Sequence, residues 1–250
     1  MFGVVLAVGL AVGSFLNVCI YRLPRDESVA SPPSRCPACD RQLRWFENVP
    51  VLGWLVLRGR CRTCRAPVSV MYPLVETITG LLFVLQYWQL GWQPLLGVRL
   101  LFVSTMIVLF VIDLQYRILP NVITLPGVLV GLVTSMFLVP GWWPAFIGAL
   151  VGGGVLWVVG AVYFRLCGEE GMGMGDVKML AMIGAFLGWQ QMLVTLLFAT
   201  LTGSLVGGGM VIFDRGNIKY ALPLGSFLAA SAIAVTHVGQ PLVEWYLGFY

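Results

Sequence analysis

Apolar residues come along this chain in runs of ten to twenty, separated by short segments rich in Gly, Pro, Trp and Arg. A helix crossing a bilayer core needs roughly twenty predominantly apolar residues. Runs of about that kind lie near residues 2–20, 71–90, 95–112, 121–139, 143–164, 177–189, 192–213 and 220–238, predicting about eight transmembrane helices with a short sixth. One stretch breaks the rhythm. From Arg22 to Tyr72, charged residues, prolines and cysteines replace the apolar run, so a small polar module is inserted between the first two helices. The predicted fold is an all-α polytopic membrane protein with one loop module. It divides into a first helix (residues 1–21), the loop (22–71) and a helical domain (72–250).

Composition agrees with this reading: 59% of the residues are hydrophobic and 10% charged, and the mean hydropathy of +0.90 lies outside soluble usage. The first run lacks a basic leader and a small-residue cleavage site, and Arg22 flanks it, so it reads as a retained span. Charge then orients the chain. Nine arginines (Arg22, Arg25, Arg35, Arg41, Arg44, Arg58, Arg60, Arg62 and Arg65) share the first loop. Arg117, Arg165, Lys178, Arg215 and Lys219 fall in loops that alternate to the same side, and only Arg99 is left over. The opposite loops, near residues 91–94, 140–144 and 189–191, carry no basic residue and are rich in Trp. The positive-inside rule makes the basic loops cytoplasmic and both termini external. The net charge of +4 is thus a topology signal. Because it is spread over membrane flanks with no folded basic domain behind it, no nucleic acid partner is expected.

Within the loop lie Cys36-Pro37-Ala38-Cys39 and Cys61-Arg62-Thr63-Cys64. Two C-x-x-C pairs can converge on one tetrahedral zinc, and a site closed by four thiolates is structural, with no open position for catalysis. Two disulfides are the alternative, disfavoured in the reducing compartment that the topology assigns. A stretch of fifty residues poor in apolar content needs such a staple to fold. Cys19 and Cys167 have no partner at metal spacing and read as ordinary membrane cysteines.

Acids at membrane helix ends are the remaining chemistry. Asp176 follows Gly171-Met172-Gly173-Met174-Gly175 and opens an apolar run. An ionisable group there is costly unless it pairs, neutralises or reacts. Asp113 lies near the end of the third run, where the helix dipole disfavours an anion. Both fall at cytoplasmic ends and so at similar depth. Glu76, in the first turn of the second membrane helix, either complements the helix dipole or faces the loop as a site residue. Asn17, inside the first span, wants a hydrogen-bonding partner. Gly148 with Gly152-Gly153-Gly154, and Gly203 with Gly207-Gly208-Gly209, fit small-residue helix packing. His237, alone near the outer end of the last span, reads as structural. Two adjoining carboxylates cannot both ionise easily and share a proton. The ionised one can activate a water while the other polarises a carbonyl, which is aspartic peptidase chemistry.

These residues resemble a known family. Gly173-Met174-Gly175-Asp176 fits the G-x-G-D pattern of intramembrane aspartyl proteases. The wider match is to bacterial type IV prepilin peptidases, through Gly13–Val18, Arg22-Leu23-Pro24, the cysteine quartet, Asn48-Val49-Pro50, Leu57–Cys61, Tyr72–Glu76, Asp113 and Leu119-Pro120-Asn121. The resemblance implies Asp113 and Asp176 as the catalytic pair. It implies removal of a short basic leader from type IV prepilins or type II secretion pseudopilins, after a glycine, on the cytoplasmic side of the bacterial inner membrane. Methylation of the new amino terminus from S-adenosylmethionine would follow, with Gly59 and Glu76 as residues linked to methyl transfer. The chain departs from the family pattern at Ser69–Tyr72, which lacks a basic residue, and at Ala221–Phe227, where a Pro-Phe-Gly-Pro-like segment is usual.

An arginine-rich loop should repel a basic leader, so Glu169 and Glu170 are expected to receive the leader's lysines. Rival readings are a protease without methyl transfer, a proton-coupled transporter and a zinc-binding membrane adaptor.

Overall fold

The structure, a computed structural model, describes residues 1–168, 173–213 and 223–248. Its helices are α1 (Phe2–Arg22), α2 (Leu52–Val56), α3 (Met71–Leu90), α4 (Pro94–Tyr116), α5 (Asn121–Thr134), α6 (Trp142–Cys167), α7 (Met174–Phe213) and α8 (Leu224–Leu247). No strand occurs among the described residues, only two isolated bridges, Arg35 to Gln42 and Arg60 to Pro67. The chain divides into two compact units, Met1–Val108 and Leu109–Tyr250.

Five helices, α1, α4, α6, α7 and α8, are long and apolar enough to cross a membrane, and α5 is a shorter apolar helix. The chain is a multi-pass membrane protein. The helix α3 fills the predicted second span but carries Glu76, Gln86 and Gln89, and it is not among the five. The helix α7 covers two predicted spans. Its backbone leaves helical geometry at Gly188 (φ 79°, ψ 167°), where the chain is pressed against Pro140 and Pro144. The left-handed φ favours a residue without Cβ, and the break lies just before Gln190-Gln191, where the apolar pattern is interrupted.

In the first unit α1 packs along α3. The contact is close because of Gly13, where an added Cβ would lie 2.7 Å from Glu76 Cα. Asn17, buried on the same face, donates from Nδ2 to the Tyr72 carbonyl at 3.0 Å, the partner its polarity required. In the second unit α7 is the hub, packing on α5, α6 and α8. The small-residue packing expected at Gly148 and Gly152 is present: Gly148 meets Gly184 backbone to backbone, and Gly152 meets the Leu180 carbonyl. Such close packing is not seen at three glycines of the second cluster. Gly208 and Gly209 face open space, and Gly203 makes only ordinary contact with Phe227. Alternation of small residues alone does not say which face a neighbour covers.

Candidate active sites

The cysteine quartet forms by a repeated local turn. Cys36 N–H donates to the Arg41 carbonyl and Cys61 N–H to that of Ala66, both at 2.9 Å, while Asp40 and Arg65 take left-handed φ values of 56° and 57° to reverse the chain. Each turn aims its thiols at the other. All four Sγ atoms lie within 4.8 Å of one another, with Cys36 to Cys64 at 3.8 Å and Cys39 to Cys61 at 4.0 Å. Zinc–thiolate bonds of about 2.3 Å in a tetrahedron place sulfurs about 3.8 Å apart, so the spacing fits a metal. It is far too long for a disulfide, and all four thiols are free.

Arg41 and Glu47 brace this module. Arg41 Nη2 lies 2.9 Å from Glu47 Oε1, and Glu47 Oε2 accepts the Arg44 N–H at 2.8 Å. The Arg41 guanidinium, then the Arg44 amide, hold the Glu47 carboxyl below its usual range. The salt bridge therefore stabilises the loop above about pH 4.3 and is lost as pH falls through the lowered value.

A cavity of about 420 Å³ lies between this module and the facing ends of α1 and α3. Gly59 and Glu76 both line it, with Asn17, Trp54, Tyr72 and Cys61. Glu76 is buried, and its Oε2 accepts the Val51 N–H at 2.7 Å. Of the two sequence readings, the one in which Glu76 faces the loop describes this geometry. Gly59 has φ +65°, and a Cβ there would sit 2.7 Å from Trp54 Cζ2. Trp54 is fixed in turn, its Nε1 donating to the Val68 carbonyl at 3.1 Å.

The second site lies in the second unit, where four helix ends converge. Asp113 is near the C-terminal end of α4, and Asp176 is in the first turn of α7. Leu119 links them: a Cβ at Gly175, the residue before Asp176, would meet Leu119 at 2.9 Å, and one at Gly225 would meet both Asp113 Cγ and Leu119 Cδ1 at 3.0 Å. The start of α7 is positioned by Lys178, whose Nζ donates to Asn121 Oδ1 at 2.8 Å, and by Gly175, packed against Leu119. Asp113 is buried, and its Oδ2 accepts Ser226 N–H at 2.6 Å and Ser226 Oγ–H at 2.9 Å. Ser226 lies in the first turn of α8, so the positive end of that helix compensates the unfavourable end of α4. Gly225 permits this approach, because a Cβ there would meet Asp113 Cγ at 3.0 Å. Ser226 and Gly225 were not among the sequence candidates; the departure of Ala221–Phe227 from the family pattern was the only hint.

Residues 7–90 match the bacterial peptidase A24 N-terminal domain, and residues 100–208 match the type IV leader peptidase family. A prepilin leader peptidase/N-methyltransferase of Aeromonas hydrophila is 38% identical over 98% of this chain and 93% of its own length. The chain belongs to the type IV leader peptidase family. A relative of the same description from Stutzerimonas stutzeri is 37% identical over 98% of this chain and 93% of its own. One from Myxococcus xanthus is 46% identical, over 83% of this chain and 62% of that protein. No solved structure matches the chain. In this leader peptidase family member the structure brings Asp113 and Asp176 to one cluster of helix ends, Gly59 to Glu76, and the four cysteines together. Glu169 and Glu170 lie outside the described residues.

Proposed function

We propose that this protein is a membrane-embedded aspartic endopeptidase that removes the basic leader of a type IV prepilin or type II secretion pseudopilin and methylates the new amino terminus. The observation that carries the reading is that Asp113, and Asp176 through its neighbour Gly175, far apart in sequence, are gathered around Leu119 and Gly225 in one cluster of helix ends. One carboxylate takes a proton from water as its oxygen attacks the scissile carbonyl, and the other gives its proton to the carbonyl oxygen. Collapse of the gem-diol sends a proton to the leaving nitrogen and restores the pair. No nucleotide is needed for this step. The placement of basic residues supports a bacterial inner-membrane location with the pair facing the cytoplasm, and peptide cleavage belongs to the helical domain after residue 72.

Zinc is the metal that four thiolates at this spacing suit, held by Cys36, Cys39, Cys61 and Cys64 as a structural ion. The cavity beside it has the size of a small-molecule site. S-adenosylmethionine, bound there, supplies an electrophilic methyl group. Glu76 offers a buried anion to a cationic ligand or to the incoming amine, Trp54 offers a flat apolar face, and Gly59 keeps that indole in place.

The test uses purified full-length protein, a prepilin and S-adenosylmethionine, with the mass of the product read by spectrometry. The expected product lacks the leader and carries one added methyl group at its new amino terminus. A prepilin left intact contradicts the reading. Cleavage without methylation leaves the protease-only alternative.

A further inference from the structure

The aspartate pair is asymmetric. We propose that Ser226 is a positioning residue that holds Asp113 as the ionised, water-activating member of the pair, so that Asp176 carries the shared proton. The inference rests on the protease reading of the pair.

The geometry points one way. Ser226 N–H lies 2.6 Å from Asp113 Oδ2 and 3.2 Å from the Pro223 carbonyl, so the carboxylate is its nearer acceptor. An N–H can only donate, and hydrogen bonds donated to a carboxylate favour its charged form. The amide also belongs to the first turn of α8, where backbone N–H groups have no partner within the helix. Burial works against the anion, since a carboxylate 5% exposed has lost most of its water, and the two Ser226 donors are what offset that cost. The charged groups facing Asp113 are Asp176, from α7, and Arg117, which follows α4 and also favours the anion. Asp176 has neither Ser226 bond; its backbone N–H donates to the Gly173 carbonyl within its own first turn.

The hydroxyl has a second acceptor. Ser226 Oγ lies 2.9 Å from Asp113 Oδ2 and 3.2 Å from the Phe110 carbonyl, and its one proton can serve either. Before attack it points to the Asp113 anion. As the water O–H bond breaks and its oxygen bonds the carbonyl carbon, Asp113 gains that proton and Asp176 gives its own to the carbonyl oxygen. The hydroxyl then turns to Phe110. On collapse the C–N bond breaks, Asp113 passes its proton to the leaving nitrogen, and one gem-diol proton returns to Asp176. The hydroxyl thus favours the anion without trapping it.

The experiment is the pH profile of prepilin cleavage, as kcat/KM, for the detergent-solubilised full chain and three variants. Ser226→Ala keeps the N–H and loses the hydroxyl. Ser226→Pro loses both, at a first-turn position where proline is tolerated. Ser226→Thr keeps both. The lower apparent pKa of the profile should rise by roughly one pH unit in Ser226→Ala, a tenfold change in acid dissociation, and further in Ser226→Pro. Ser226→Thr should keep the wild-type acidic limb. Methyl transfer to pre-cleaved pilin reports whether each variant is folded, and if Ser226→Pro is not, the comparison of Ala with Thr decides. An unmoved acidic limb in Ser226→Ala and in folded Ser226→Pro, with Asp113→Asn inactive, overturns the role of Ser226 and leaves the dyad standing. Cleavage by Asp113→Asn overturns the protease reading itself.

Discussion

At Gly59 and Glu76, single atoms decide whether the loop cavity keeps its shape. A Cβ at Gly59 would impose left-handed strain of roughly 1–2 kcal/mol and would displace Trp54 from the cavity wall. Gly59→Ala is therefore expected to lower methyl transfer by about tenfold or more, since small misplacements of a binding wall are that costly. Glu76→Gln keeps the volume and removes the buried anion, and it should act in the same direction. In both variants prepilin cleavage should persist, measured in parallel on the same preparation; equal loss of both activities would mean a general folding defect. Single residues were also where the sequence was most and least legible. Asp113 and Asp176 stood out because a charge in an apolar run is conspicuous. Ser226 did not, because its decisive donor is a backbone N–H that every residue except proline carries. Only the fold shows where that amide points.

Among the helices, the apolar runs located nearly every element, and their errors have physical causes. The broken apolar run near Trp189 proved to be a backbone break at Gly188, which a glycine permits. The glycine clusters were read alike, yet Gly148 and Gly152 press on another backbone, whereas Gly208 and Gly209 face open space. Periodicity registers that a residue is small but not what lies opposite. The close approach of Gly13 to Glu76 escaped for the same reason, since its partner lies beyond the whole loop module. The contrast can be measured by thermal unfolding in detergent. Gly184→Leu should destabilise by about 1–3 kcal/mol or more through overpacking against Gly148. Gly208→Ala should be neutral or gain up to about 1 kcal/mol of helix stability. Equal effects would contradict the assigned packing of α6 on α7.

For the whole molecule, charge sets both the topology and the reception of substrate. On the proposed topology, nine arginines in the first loop face the cytoplasm and oppose a basic leader. Glu169 and Glu170, next to the glycine run before Asp176, are the acids best placed in sequence to offset this. Reversing both charges should raise the apparent KM for a basic-leader prepilin several-fold, with the difference shrinking as salt increases. Unchanged kinetics at low salt would remove these residues from leader recognition. The central claim is that two acids, separated in sequence and gathered at helix ends, hydrolyse the peptide. It is tested most directly by assaying Asp113→Asn and Asp176→Asn for prepilin cleavage and, separately, for methyl transfer to pre-cleaved pilin. Each variant should lose cleavage by several orders of magnitude while still methylating the mature amino terminus. Retained cleavage in either variant would contradict the account.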